Sequence, residues 1–534
     1  LRTFQLLGVD MFSRRFCAAF IVVFVTLSCL GARAQSTYGA IVGSITDSSG
    51  AAITDANVTL TNVGTSEKRS QSSGSDGLFT FVNLFPGQYR IDVEKPGFKH
   101  FVRTGLTVEV QQSTHIDAAL QVGEVSQVVE VTAETPLLQS ETSSLGTVVD
   151  TREANELPLN GRNIYNLATV TPSVIPQGNT EGTVVGKNPF DFANYQIGGA
   201  FANEGAEYLD GQPLNIGYIN LPFLVPTQDA ISEFKVQDNN LGPEWGKFAG
   251  GVINMSTKSG TNTWHGTGYE YLRNKVFNAN EYFHKNSEIN GTPPTSNQPP
   301  PFTQNQFGAA IGGPVIKDKT FAFFSYEGFR LRTGTPFNTT VPTLQERQGD
   351  FSDLCNNLNF NGSGICQDTN GTSLVHQIYN PLTATSLTST RSPFPFNCIA
   401  DLTPYCQTHA PTVGNLINPT SAFLLNKLVA NPTAGPGVTV LNFLKDASTG
   451  GDTDAYIARV DQTINSKQTV FGRFAYWKLL SLAQDPFGTG LCKDRCAENT
   501  KSKSVALGYN YAINPTTIFN LNASISRFIY LRTP

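Results

Sequence analysis

From Thr517 to Tyr530 the chain alternates: Phe519, Leu521, Ala523 and Ile525 share one parity, and Asn520, Asn522, Ser524 and Ser526 share the other. Successive side chains of an extended strand point to opposite faces, so this stretch has one apolar face and one polar face. Ser504 to Ala512 repeats the pattern, with Val505, Leu507, Tyr509 and Tyr511 against Ala506, Gly508 and Asn510. Tyr456, Ala458 and Val460 oppose Arg459 and Asp461, while Val470, Gly472, Phe474 and Tyr476 oppose Arg473. Alternation alone fits a soluble sandwich as well as a membrane barrel. Two further features favour the barrel. The polar faces are rich in Asn, Ser and Gly, and residues 332–452 form an excursion too long for a compact soluble domain but natural as an external barrel loop. The stretches 264–274, 305–316 and 319–331 are less regular but carry aromatic residues suited to an interfacial girdle. About seven strands are expected.

Composition agrees with an all-strand reading. Charged residues make up 15% of the chain, against about 25% in ordinary globular proteins, whereas Gly (48), Pro (30) and Phe (36) are abundant. The net charge of -5 comes with no basic block, which argues against nucleic acid as a partner.

The N-terminal region reads as an export signal. Met11 is followed by Arg14 and Arg15, an apolar run from Phe16 to Leu30, and Ala32-Arg33-Ala34 before Gln35. This gives a signal peptide over 11–34, with residues 1–10 expected to be untranslated upstream sequence. A twin-arginine address, lipidation at Cys29 and an uncleaved anchor fit these residues less well. Six cysteines follow the signal: Cys355, Cys366, Cys398, Cys406, Cys492 and Cys496. An even number in an exported chain reads as disulfides, and neighbour pairing is the simplest of fifteen arrangements. Cys492 and Cys496 could instead begin a metal site, but no second close pair or histidine follows, so no metal or other cofactor is expected.

Between Tyr38 and Gln121, short β-prone runs alternate with turns. Ala40–Ile45, Ala56–Thr61, Leu78–Val82 and Gln88–Val93 are separated by Asp47-Ser48-Ser49-Gly50, Ser75-Asp76-Gly77 and Pro86-Gly87, which predicts a small antiparallel β-sandwich. Residues 38–121 resemble the carboxypeptidase regulatory-like domain, a carbohydrate-binding-like fold. Peptidase activity is not expected, because none of the six histidines is followed three residues later by Glu or Asp, as a paired metal-ligand set would require. No nucleophile with its base, phosphate loop or metal cluster stands out elsewhere, so the chain does not read as an enzyme.

Val128-Val129-Glu130-Val131-Thr132-Ala133 is a short β-prone run that Pro136 ends. Such a segment suits addition to the edge of another protein's sheet, and it also suits a last sandwich strand or a linker. Beyond it, residues 137–260 mix strands, loops and short helical segments. Leu157-Pro158-Leu159-Asn160-Gly161-Arg162-Asn163 precedes a short helix predicted over 164–168, and Asp210-Gly211 marks a tight turn. Arg162 could bind an anion, though an arginine so placed more often forms a structural ion pair.

The motifs LPLNGRN (157–163), YLDGQPLN (208–215), ISEFKVQ (231–237), GPEWGKFAGGVINMSTKSGTNTWHGTGYEYLRN (242–274), NQFGAAIGGPVIKDKTFAFFSYEGFR (305–330) and VPTLQERQGDFS (341–352) occur in this order. Through them the chain, from about residue 38 to its end, resembles TonB-dependent outer-membrane transporters of the Oar-like type. The resemblance implies a mainly β fold: an N-terminal β-sandwich (38–121), a linker with a TonB box (125–136), a mixed α/β plug domain (137–260) and a transmembrane antiparallel β-barrel from 261. It further implies that Gln127 to Ala133 contain the TonB box, and that TonB with ExbB and ExbD drives import of a solute, with saccharide and peptide the two classes considered. The sandwich would lie in the periplasm and the barrel in outer-membrane lipid. The resemblance implies 22 barrel strands, so the chain is expected to be a C-terminally truncated fragment. The rival expectation is a surface adhesion protein that uses the barrel as an anchor and the sandwich for carbohydrate contact.

Overall fold

The structure, a computed structural model, describes residues 38–534 apart from 125–127, 133–144, 150–152, 155–156, 158, 178–192, 243–244, 247, 281, 283–298, 356–358, 369–375, 387–388, 436–437, 491–495, 515–516 and 534. The segment expected to be a signal peptide, Ala133, Pro158 and Cys492 therefore lie outside the described residues.

The N-terminal body is a two-sheet sandwich. Its strands are β1 (Gly39–Asp47), β2 (Asn57–Asn62), β3 (Lys68–Ser72), β4 (Leu78–Leu84), β5 (Gly87–Glu94), β6 (His100–Val108), β7 (Ser113–Leu120) and β8 (Val128–Thr132). One sheet has the order β4-β1-β7 and the other β3-β2-β5-β6-β8. Alternate residues of β1, β2 and β5, including Ile41, Ile45, Val58, Leu60, Ile91 and Val93, point inward and fill a common core. The antiparallel expectation needs correcting in two places: β7 runs parallel to β1, and β8 runs parallel to β6. The sequence gives little hint of β3, because Lys-Arg-Ser-Gln-Ser has no apolar face and is held as an edge strand through backbone pairing with β2.

The second body is built on the sheet β13-β12-β15-β14-β9. Its strands are β9 (Leu145–Val149), β12 (Ala206–Leu209), β13 (Gln212–Pro213), β14 (Ile231–Asn239) and β15 (Val252–Thr257), and β10 (Val174–Pro176) pairs separately with β11 (Tyr195–Ile197). Every residue of β15 is buried, which explains Val252, Ile253 and Met255. The helix predicted after Asn163 is a 3-10 segment, Ile164–Val170, with Ile164, Tyr165, Leu167 and Ala168 buried. Asn163 caps it by accepting from the Tyr165 N–H at 3.2 Å.

The third body is a seven-stranded antiparallel wall in sequence order: β16 (His265–Asn274), β17 (Phe302–Ile316), β18 (Thr320–Thr339), β19 (Phe443–Asn465), β20 (Gln468–Leu482), β21 (Ala497–Asn514) and β22 (Thr517–Thr533). One face buries Phe323, Ile457, Ala475, Trp477 and Leu479 in a core shared with the second body. The opposite face exposes Phe324, Val460, Phe474, Val505, Leu507, Phe519, Leu521 and Ile525. An exposed apolar face on strands of 15 to 23 residues is the surface a lipid-facing barrel wall presents. No helix among the described residues is long and apolar enough to cross a membrane.

The strands reach further than the alternation predicted. The excursion from β18 to β19 is 340–442, because the strand pair continues to Thr339↔Phe443. Cross-strand charge pairs support that extension: Arg330 meets Asp454 at 2.6 Å and Arg332 meets Asp452 at 2.8 Å. The excursion itself is also ordered, with disulfides Cys355–Cys366 and Cys398–Cys406 and helices α1 (Pro404–His409) and α2 (Pro419–Leu428). Buried Asp350 ties it together, accepting from the hydroxyls of Ser352 and Thr403 at 2.7 Å each. Cys496 is also disulfide-bonded.

Candidate functional site

The hairpin between β12 and β13 turns at Asp210 and Gly211, which have positive φ values of 50° and 77°. A two-residue turn of this kind favours Asp-Gly, and it delivers the Asp210 carboxylate to the barrel wall. Oδ1 accepts from the Thr257 N–H at 2.8 Å and from Arg459 Nη1 at 3.0 Å. Oδ2 accepts from the Thr257 hydroxyl at 2.9 Å and from Arg473 Nη1 at 3.0 Å. Arg459 also grips Asp461 with Nε and Nη2, at 2.9 and 2.7 Å, and lies 4.6 Å over the Phe471 ring. Ser259 donates to Asp461 at 2.7 Å. The cluster therefore balances two guanidinium groups against two carboxylates in a nearly dry setting, where removing either sign would strand the other.

A second interlock lies at the LPLNGRN motif. Gly161 and Arg162 both have positive φ, at 69° and 50°, which turns the arginine towards the wall. Arg162 meets Asp229 at 2.6 Å and Glu327 of β18 at 3.2 Å, with its guanidinium 4.3 Å above the Tyr269 ring of β16. Tyr269 donates to Glu327 at 2.5 Å, and Gln306 of β17 donates to the Gly161 carbonyl at 3.2 Å.

Of the motif residues singled out in the sequence, Arg162, Asp210, Gly161 and Gly211 thus converge on the seam between the second body and the wall. Leu157 is exposed and Asn163 is spent on the local cap. The partners Arg459, Asp461, Arg473, Glu327, Tyr269 and Asp229 were not assigned from sequence. Their signal was present, since Arg459, Asp461 and Arg473 stand on the polar faces of their strands, but no local pattern says which distant turn each one meets.

The sandwich is held to the second body by two side chains of β14. Glu233 accepts from the Val110 N–H at 2.8 and 2.9 Å, and Lys235 Nζ donates to the Val110 carbonyl at 3.0 Å. Burial pushes the Lys235 ammonium pKa down, with Glu233 and Glu109 opposing that effect. Where the three bodies meet there is a cavity of about 420 Å³, lined among others by Tyr38, Phe85, Lys258, His265, Arg459 and Asp461.

β8 occupies the edge of the sandwich sheet, in parallel register with β6 from His100↔Val128 to Thr104↔Thr132. Among the described residues its other edge pairs with no strand. The closest grouping of possible metal ligands among the described residues, Asp350 with Cys398 and Cys406, offers no thiolate because both sulfurs are in a disulfide.

Residues 256–534 match the model of the outer membrane beta barrel domain family, which is more than half of the chain. The chain belongs to that family. This places it in the outer membrane, in agreement with the apolar outer face of β16–β22. Residues 40–121 match the carboxypeptidase regulatory-like domain. The chain is also similar to the TonB-dependent transporter Oar of Myxococcus xanthus, at 24% identity over 311 residues that cover 55% of this chain and 27% of the relative. It therefore spans about a quarter of that relative's length. Among solved structures, the siderophore receptor PirA of Acinetobacter baumannii aligns at 14% identity and TM-score 0.38, covering 74% of this chain and 41% of that one. The outer membrane transporter YddB of Escherichia coli aligns at 11% identity and TM-score 0.38, covering 71% and 38%. Both likenesses are too remote to bear on a ligand.

Proposed function

We propose that the chain is part of a TonB-dependent active transporter of the outer membrane, in which the second body is the plug and β8 carries the TonB box. The observation that carries this reading is the edge of β8 that pairs with no strand among the described residues. A partner strand can add there through backbone hydrogen bonds with little demand on side chains. The similarity to a transporter named as TonB-dependent supports the same reading.

Force applied at β8 has a continuous route inward. β8 pairs with β6, and the turn after β6 is gripped by Glu233 and Lys235 of β14. β14 pairs with β15, β15 pairs with β12, and β12 leads to Asp210 between Arg459 and Arg473. TonB, energised through ExbB and ExbD by the inner-membrane proton gradient, would work against the two interlocks and admit a solute of the saccharide or peptide class. Deleting residues 128–133 in the full-length protein is expected to abolish capture by the periplasmic domain of TonB and uptake that depends on the proton gradient. Undiminished capture would reject β8 as the box.

A further inference from the structure

The outer face of the wall changes character along one register row. Phe324, Ala458, Phe474, Val505 and Ile525 are direct cross-strand neighbours on the exposed face. One step towards the end that carries the long connections 340–442 and 483–496, the row becomes Tyr326, Tyr456, Tyr476, Lys503 and Arg527. The three tyrosines pack on one another, with centroids 4.7 and 5.8 Å apart. One step further, Asp454, Lys478 and Lys501 are neighbours.

Two pairs of like charge are thus directly opposed: Lys478 faces Lys501, and Lys503 faces Arg527. Opposed like charges destabilise a sheet, and here two such pairs adjoin. The nearest acid in register, Asp454, is already held by Arg330 at 2.6 Å and by the Tyr326 hydroxyl at 3.0 Å. Among the described residues none of the four cations has a carboxylate partner. Lysines at a membrane rim can simply reach into water, but that does not account for four cations stacked in two repelling pairs beside an apolar row.

We infer that Lys478, Lys501, Lys503 and Arg527 form a binding site for the phosphate of a lipid headgroup in the leaflet on the long-connection side. An anion between the opposed pairs turns repulsion into attraction. The apolar row beneath, Phe474, Val505 and Ile525, would meet the acyl chains of the same molecule, which a free phosphate lacks.

The test uses the full-length protein inserted in phosphatidylcholine vesicles, with and without phosphatidylglycerol or diphosphoryl lipid A. Phosphatidylglycerol and lipid A are expected to raise the Tm of the unaltered chain, and native mass spectrometry after detergent exchange is expected to find lipid retained. In K478Q/K501Q/K503Q/R527Q, retention should fall at least tenfold and the Tm shift should vanish. The same variant should melt higher than the unaltered chain in pure phosphatidylcholine, an outcome that a misfolded protein cannot give. K478R/K501R/K503R, which keeps the charge, should retain the lipid. Equal retention by the glutamine variant would overturn the site, as would loss of retention in the arginine variant. Inorganic phosphate raising Tm as far as phosphatidylglycerol does would overturn the lipid as its source.

Discussion

Asp210 and Arg473 are 263 positions apart in sequence and meet at 3.0 Å, with both side chains almost completely buried. The same carboxylate holds Arg459, so one turn of the second body neutralises two arginines of the wall. Replacing Asp210 by Asn leaves two guanidinium groups facing one remaining acid, Asp461. The expected loss is about 3 to 5 kcal/mol of resistance to separation of that body from the wall. Hydrogen exchange in β12 and β15 should accelerate accordingly, and the double variant Asp210→Asn/Arg473→Met should recover part of it. Unchanged exchange in Asp210→Asn would mean that the interlock contributes no net stability.

Glu207 makes stability depend on pH. Its carboxyl, buried in β12, has a pKa pushed up to about 8 by desolvation, which the hydrogen bond from Asn215 only partly offsets. The folded state therefore holds a proton that the unfolded state releases near the ordinary carboxylate pKa. Stability from this group is complete below about 4.5 and falls as pH rises towards about 8. Glu207→Gln should flatten that part of the profile and melt higher than the unaltered chain at pH 8, which thermal melts across this range would reveal. Parallel profiles for the two proteins would exclude Glu207 as the source.

Glu233 and Lys235 predict how the sandwich detaches. Each faces the backbone of Val110, and removing one leaves a buried ion of the other sign without the opposite charge that compensates it. Glu233→Ala and Lys235→Ala should each free the sandwich from the second body, seen as faster proteolysis in residues 121–128. The double variant should cost less than the sum of the two, because neither charge is then stranded. Strict additivity would mean that the two side chains act independently.

The sequence made some of this architecture legible and left the rest silent, for physical reasons. Thr517 to Tyr530 announced its faces because lipid and interior demand different side chains on alternate positions, and β22 keeps that parity from Phe519 to Ser526 before Arg527 and Phe528 reverse it. Between β15 and β16 the chain runs through Lys258-Ser259-Gly260-Thr261-Asn262, all turn formers. β3 and the outer ends of β18 and β19 were not legible, because their pairing rests on backbone bonds and charge pairs without an apolar period. Arg162 and Asp210 could be marked from their motifs, whereas their partners on the wall depend on register between strands hundreds of residues away. Pairing of β8 with β6 was equally invisible, since a five-residue run says nothing about which edge it will join.

The disulfides of the long excursion provide a last test, because they should stabilise the excursion without stabilising the wall. Cys355–Cys366 and Cys398–Cys406 close segments of 11 and 8 residues, well away from the paired ends of β18 and β19. Loops this short gain roughly 2 to 3 kcal/mol each from closure, and that gain is local to the cap around Asp350. Cys355→Ser/Cys366→Ser should therefore speed protease cleavage within 340–442 by at least tenfold while leaving the thermal unfolding of the β-sheet within a few degrees of its original midpoint. Asp350 would remain bonded to Ser352 and Thr403, so the second disulfide should still protect the segment around α1. If the sheet melted markedly lower, the excursion would have to be a structural part of the wall itself.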